Sequence, residues 1–115
     1  MDSAMTRKRL ALIGLGVRGR GAVVGVQQVR DAAKRGKLHL AIAAPDASNN
    51  SLEKVVPLLR GRGVPVFEGP GASELGGAAG RDTTAVIGIV DRNLAKGIQA
   101  LSLTLLPDGR KEELD

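Results

Sequence analysis

The chain alternates short apolar runs with polar, glycine-rich breaks. Residues Val26–Arg35 carry the clearest pattern. On a 3.6-residue wheel Val26, Val29, Ala32 and Ala33 share one face, and Gln27, Gln28, Arg30, Asp31, Lys34 and Arg35 share the other, which predicts an amphipathic helix. Gly36 supplies the residue that ends such a helix. Leu38–Ala43 is nearly continuous in apolar residues, as a central strand covered on both faces should be. Pro45–Asn50 reads as a loop with helix-start chemistry. It leads into a helix to Arg60, with Pro57 awkward inside it and Gly61-Arg62-Gly63 as its stop.

Val64–Glu68 predicts a short strand, in which Pro65 implies an edge or a strand start. Glu68–Gly71 predicts a turn, Ala72–Ala79 a short helix closed by Gly80, and Thr84–Val90 a β-branched strand. Asp91 is placed to cap a last helix whose apolar stripe reads Leu94, Ile98, Leu101 and Leu105. Upstream, residues 6–18 are weakly helical despite Gly14 and Gly16, and Ala22–Val24 has room only for a very short strand. Strands alternating with helices imply an α/β sandwich around one sheet. The expected division is a basic segment at 1–9, its order left open, a single domain at 10–106 and a polar tail at 107–115.

At 115 residues, 43% hydrophobic and 25% charged, the chain fits one ordinary globular domain able to bury a core without staples. There is no cysteine, so disulfides, thiolate metal sites and a thiol nucleophile are excluded. The apolar run Leu10–Leu15 is too short and glycine-rich for a signal-peptide core, and no stretch approaches the ~20 apolar residues of a membrane span. These features suit a cytoplasmic protein with no membrane partner. Charge changes the picture more. The net charge is +5, but residues 1–39 hold nine Lys or Arg against Asp2 and Asp31, whereas the rest is slightly acidic. Such asymmetry favours a polyanion partner.

Gly14-Leu15-Gly16-Val17-Arg18-Gly19 matches the G-x-G-x-x-G fingerprint of dinucleotide sites and offers an alternative, nucleotide-binding reading. That fingerprint needs a strand before it and a helix opening at its second glycine. The competing reading is a glycine-rich helix or loop packed closely on its neighbours. His39 is the only histidine and reads as a structural residue of a strand. Asp46, Asp82 and Asp91 sit at element ends, where caps and turns explain them, and Ser48 and Ser73 fit helix starts. No His/Asp/Glu set has metal-ligand spacing, so neither a catalytic site nor a cofactor is expected. Phe67 is the only aromatic residue, which rules out base stacking on an aromatic platform.

Four segments, in order, resemble the L-seven-Ae/L-thirty-e kink-turn-binding superfamily of ribosomal proteins, its bacterial YlxQ-type members above all. They are Gly25–Ala32 through Arg35-Gly36, Leu40–Asn49 with its Asp46-Ala47-Ser48 loop, Glu74–Gly80, and Val90-Asp91 with Ala95-Lys96. The resemblance spans about residues 10–105. It implies a three-layer α/β/α sandwich around a small mixed sheet, and recognition of a kinked RNA internal loop. The family's second helix enters the RNA groove through the motif G-x-N-E-x-x-K. Here Gly25 is kept, Gln27 and Gln28 take the Asn and Glu places, and Asp31 stands where the Lys would be. A second contact is the loop before the last strand, 80–85. The RNA-contacting residues so implied are Arg20, Gly25, Gln27, Gln28, Arg30, Asp31, Lys34, Asp46, Arg81, Thr83, Thr84 and Ala85, with RNA, and the ribosome or translation, as the setting. A protein-interaction module on the same fold is the alternative.

Overall fold

The computed structural model describes residues 3–101 and 104–106. In chain order the elements are α1 (Ser3–Arg18), β1 (Ala22–Val24), α2 (Val26–Lys34), β2 (Leu40–Ala43), α3 (Asn49–Gly61), β3 (Val66–Glu68), α4 (Ala72–Ala78), β4 (Val86–Ile89), α5 (Arg92–Gln99) and β5 (Thr104–Leu105). The strands form one sheet of order β1-β4-β2-β3-β5. Only β2 and β3 are parallel; the other pairs are antiparallel.

The continuous apolar run in β2 is explained by its two covered faces. Leu40 and Ile42 point into one cluster with Ile13 of α1, Leu75 of α4, Ile87 and Ile89 of β4, and Ile98 of α5. Ala41 and Ala43 point into the other, with Val29 and Ala33 of α2 and Val55, Val56 and Leu59 of α3. The result is the three-layer α/β/α sandwich, with α1, α4 and α5 on one face and α2 and α3 on the other. Each fully buried branched side chain contributes about 1.5–3 kcal/mol relative to exposure. Leucine and isoleucine build one layer, while alanine and valine let α2 and α3 approach the sheet closely on the other. Gly88 of β4 extends that approach, since a Cβ there would come within 3.3 Å of Val29 Cγ2.

Two elements depart from the sequence expectation. The last helix stops at Gln99, and Leu105 lies in β5, pairing with Phe67 rather than extending the stripe of Leu94 and Ile98. Leu101-Ser102-Leu103-Thr104-Leu105 also alternates with period two, and β3 would otherwise leave an open edge. Pro65 stands just before β3, where its carbonyl accepts from the Ala41 N–H at 3.0 Å. The first helix begins at Ser3, so residues 3–9 of the basic segment belong to α1. The expected tail at 107–115 lies outside the described residues.

The glycine fingerprint lies wholly within α1 and its end, with no strand before it, which overturns the nucleotide reading. A Cβ on Gly16 would lie 2.3 Å from Leu94 Cδ2, and one on Gly14 3.3 Å from the Ala78 carbonyl. These glycines seat α1 against α5 and α4. The His39 side chain is exposed rather than packed in a strand, and its backbone N–H donates to the Ile89 carbonyl at 2.8 Å just ahead of β2.

Four helices end in the same hydrogen-bonded turn. In α2, α3 and α4 the left-handed residue is Gly36, Gly63 and Gly80, with φ of 71°, 76° and 76°. In α1 it is Arg20, with φ 63°, flanked by Gly21 N–H to Gly16 carbonyl (2.7 Å) and Arg20 N–H to Val17 carbonyl (3.3 Å). A side chain in that conformation costs about 1–2 kcal/mol. Arg20→Gly should therefore raise stability by about 1 kcal/mol net of the added chain entropy, read as an increase of several degrees in Tm.

Candidate nucleic-acid interface

One end of the sheet collects the start of α2, the loop after β2, the start of α4 and the loop before β4. Backbone hydrogen bonds fix them together. The Gly25 N–H donates to the Val86 carbonyl at 2.9 Å, and the Ala44 N–H to the Ala85 carbonyl at 2.8 Å. The Thr84 N–H donates to the Ala72 carbonyl at 3.1 Å. Gly25 has φ 91° and ψ 161°, a conformation that L side chains rarely adopt, and it supplies no capping side chain to α2. The first turn of α2 therefore presents open N–H donors and the positive end of the helix dipole.

Gln28 turns back so that its side-chain oxygen accepts from the Val24 N–H at 3.0 Å. Its amide NH2 group then keeps both donors without a partner among the described residues. Gln27 is exposed and donates through Nε2 to Asp31 Oδ1 at 3.3 Å. Asp31 therefore orients the Gln27 amide, and the Gln27 oxygen has no partner among the described residues. Two amides of fixed orientation can offer complementary donors and acceptors to a base edge.

Asp46 has a structural task. Its Oδ1 accepts from the Ala72 N–H at 2.8 Å and so caps α4 from across the end, where Gly71 has no side chain to do so. A Cβ on Gly71 would sit 3.2 Å from that carboxylate. Glu74 completes the cap by accepting from the Gly71 N–H at 3.1 Å. Gly76, which the sequence marks only as part of the Glu74–Gly80 motif, is the residue that holds the 80–85 loop in place. A Cβ there would lie 2.5 Å from Thr83 Cα and 2.6 Å from its nitrogen. The loop backbone lies directly on α4 at that point.

The remaining expected contacts divide. Arg81 and Thr83 are exposed at this end against the Gly76 turn of α4, and Ala85 is half-buried with its carbonyl engaged by Ala44. Thr84 is 7% exposed and donates to the Val86 carbonyl, so its side chain is internal. Arg30 donates to the Lys54 carbonyl of α3, one turn before Pro57, and joins the two helices instead of reaching outward. Arg20 and Lys34 are not brought here. Arg20 precedes β1 and Lys34 ends α2, both at the opposite end of the sheet. Among the described residues, no group of three or more His, Cys, Asp or Glu could hold a metal ion, and no helix is long and apolar enough to cross a membrane.

An end made of a glycine-started helix, oriented amides and two loops on a rigid α/β/α frame belongs to the class of ribosomal-protein-like binding domains. The model of the Ribosomal protein L7Ae/L30e/S12e/Gadd45 family matches residues 10–98, and the chain belongs to that family. Among solved structures it is similar to a protein of unknown function from Bacillus halodurans C, at 31% identity and TM-score 0.74, covering 82% of this chain and 95% of that one. It also shares its fold with a Giardia lamblia 15.5kD RNA binding protein, at 21% identity and TM-score 0.73, covering 88% and 87%. No curated protein matches the chain in sequence.

Two substitutions test this construction. Asp46→Ala should cost about 1 kcal/mol through the lost α4 cap, and Asp46→Asn much less; chemical denaturation reads both. Gly76→Ala must move the Thr83 backbone or α4, at about 1–3 kcal/mol. Its amide NMR shifts should concentrate at residues 81–86 and Gly25 rather than spread through the sheet.

Proposed function

We propose that the protein is a non-enzymatic RNA-binding protein of the bacterial YlxQ type. It recognises a kink-turn or similarly kinked internal loop, in a cytoplasmic setting tied to the ribosome or translation. The observation that carries this reading is the start of α2. Gly25 is hydrogen-bonded to Val86 at the mouth of the 80–85 loop, and Gln27 and Gln28 project beside it with fixed amide orientation. Family membership and the RNA-binding name of the Giardia structure support it. In this reading the open N–H groups of α2 meet backbone phosphate, Gln27 and Gln28 read purine edges, and Arg81 and Thr83 flank the extruded nucleotide.

Asp31 keeps its place through Gln27. A carboxylate near phosphate is unfavourable, but here it sets which way the Gln27 amide faces. The charge of this end also favours a second reading, a protein-interaction module. Asp46, Glu68 and Asp82 lie here against Arg81 in the loops and strand ends, although Arg7 and Arg9 of α1 line the same cavity as Glu68.

Binding of a kink-turn RNA and of a matched duplex lacking the G·A pairs separates the two readings. The expected result is a clear preference for the kink-turn. Gln27→Ala, at an exposed position, should leave Tm within a degree or two and reduce kink-turn affinity by about tenfold, the scale of one lost base contact of about 1–3 kcal/mol. Equal affinity of the wild type for both RNAs would remove the kink-turn reading and leave only charge-driven binding; no binding of either RNA would leave the protein-interaction module.

A further inference from the structure

We infer that the opposite end of the sheet is a second RNA-docking surface, one that binds the phosphate backbone without reading sequence. The inference rests on observations separate from the α2 start and does not depend on the kink-turn reading.

The topology gathers the charge. β1, β2 and β3 all begin at this end and β4 finishes there. The chain therefore delivers the close of α1, α2 and α3 and the start of α5 to the same place. The four stretches involved, 16–22, 33–40, 59–66 and 89–93, hold eight Lys or Arg and a single acid, Asp91. All eight cations are exposed. Asp91 is already engaged, its Oδ1 accepting from the Leu94 N–H at 2.8 Å as the cap of α5.

Favourable contact with helix dipoles accounts for cations in the last turns, namely Arg18, Lys34 and Arg60. It does not account for Arg20 and Lys37, which lie beyond the helix ends. Arg20 is the more telling of the two. It holds the left-handed position that Gly36, Gly63 and Gly80 hold in the sister turns, so a cation is kept there against its own conformational preference.

The chemistry of the patch selects its ligand. These stretches offer guanidinium and ammonium donors, no Phe, Tyr or Trp platform on which successive bases could stack, His39 being their one ring, and no free carboxylate for a base amino group. Four strand ends at about 4.8 Å spacing spread the donors over roughly 15 Å, which suits a run of phosphates rather than one. A protein partner would need an apolar centre. Among the described residues the exposed large hydrophobic side chains are Leu15 on α1 and Leu105 on β5, single residues towards opposite edges of the sheet rather than one apolar centre. The two RNA surfaces lie at opposite ends of α2, about 14 Å apart along its axis. One molecule can thus hold a kinked loop at one end and a neighbouring helix at the other.

The test is titration of a plain RNA duplex, without internal loop, against the full-length protein at several salt concentrations. The variant is Arg35→Gln/Lys37→Gln/Arg62→Gln, all at exposed positions. Duplex affinity should fall about tenfold or more and the log–log salt slope by up to about three units. Any preference for a kink-turn over the duplex should survive. Arg20→Gly alone should weaken duplex binding while raising Tm, a pairing of effects that a purely structural residue cannot give. Unchanged duplex affinity and slope in the triple variant would overturn the proposal. A wild type with no kink-turn preference, whose triple variant still loses duplex affinity, would sink the kink-turn reading and leave this surface standing.

Discussion

The structure hangs on β4. It lies between β1 and β2, hydrogen-bonded on both edges, and its four residues are buried. Ile87 and Ile89 fill the core beneath α1, α4 and α5, while Val86 faces α2 and α3. Its ends organise both ends of the molecule. At its start, Val86 anchors Gly25 and Ala85 anchors Ala44. At its finish, Ile89 accepts from the His39 N–H, and the N–H groups of Val90 and Asp91 donate to the Gly21 carbonyl. A buried strand has no freedom to shift by one residue without turning its apolar side chains to the wrong face. That constraint is what gives the surface loops fixed positions.

Most of the fold was legible because periodicity reports directly on burial. α2, β2, α4 and β4 lie where the pattern put them, to within a residue or two at their ends. The misses have local causes. Leu101–Leu105 satisfies both helical and strand periods in part, and the need of β3 for an edge partner decides between them. Gly14, Gly16 and Gly19 matched a nucleotide motif through composition alone. In three dimensions Gly16 lets Leu94, and Gly14 the Ala78 carbonyl, approach α1. His39 was read as part of a strand that starts one residue later.

The candidate site was legible at its centre and less so at its rim. Gly25, Gln27 and Gln28 stand together at the start of α2, and a chain reader can find them from the helix boundary. Asp46, Arg30 and Thr84 looked equally available in one dimension, but each makes a hydrogen bond within the protein. Only packing reveals that. The basic bias of residues 1–39 does not reveal in one dimension where its cations gather. Folding separates it, because helices that begin at one end of a sheet finish at the other, and most of these cations lie near helix ends rather than starts.

The central place of β4 also orders events in time. β2, α3 and β3 are neighbours in sequence and can pair as soon as about thirty residues have formed, since contacts close in sequence carry the smallest entropic cost. β1 cannot do the same. Its partner is β4, more than sixty positions further along the chain, with Val24 opposite Ile87. Until that late strand inserts, Gly25 lacks the Val86 carbonyl, the 80–85 loop has no fixed path, and α2 has nothing to hold its start in place. During synthesis from the N-terminus α2 is made well before the strand that fixes its start, and the two are joined only when the centre of the sheet closes.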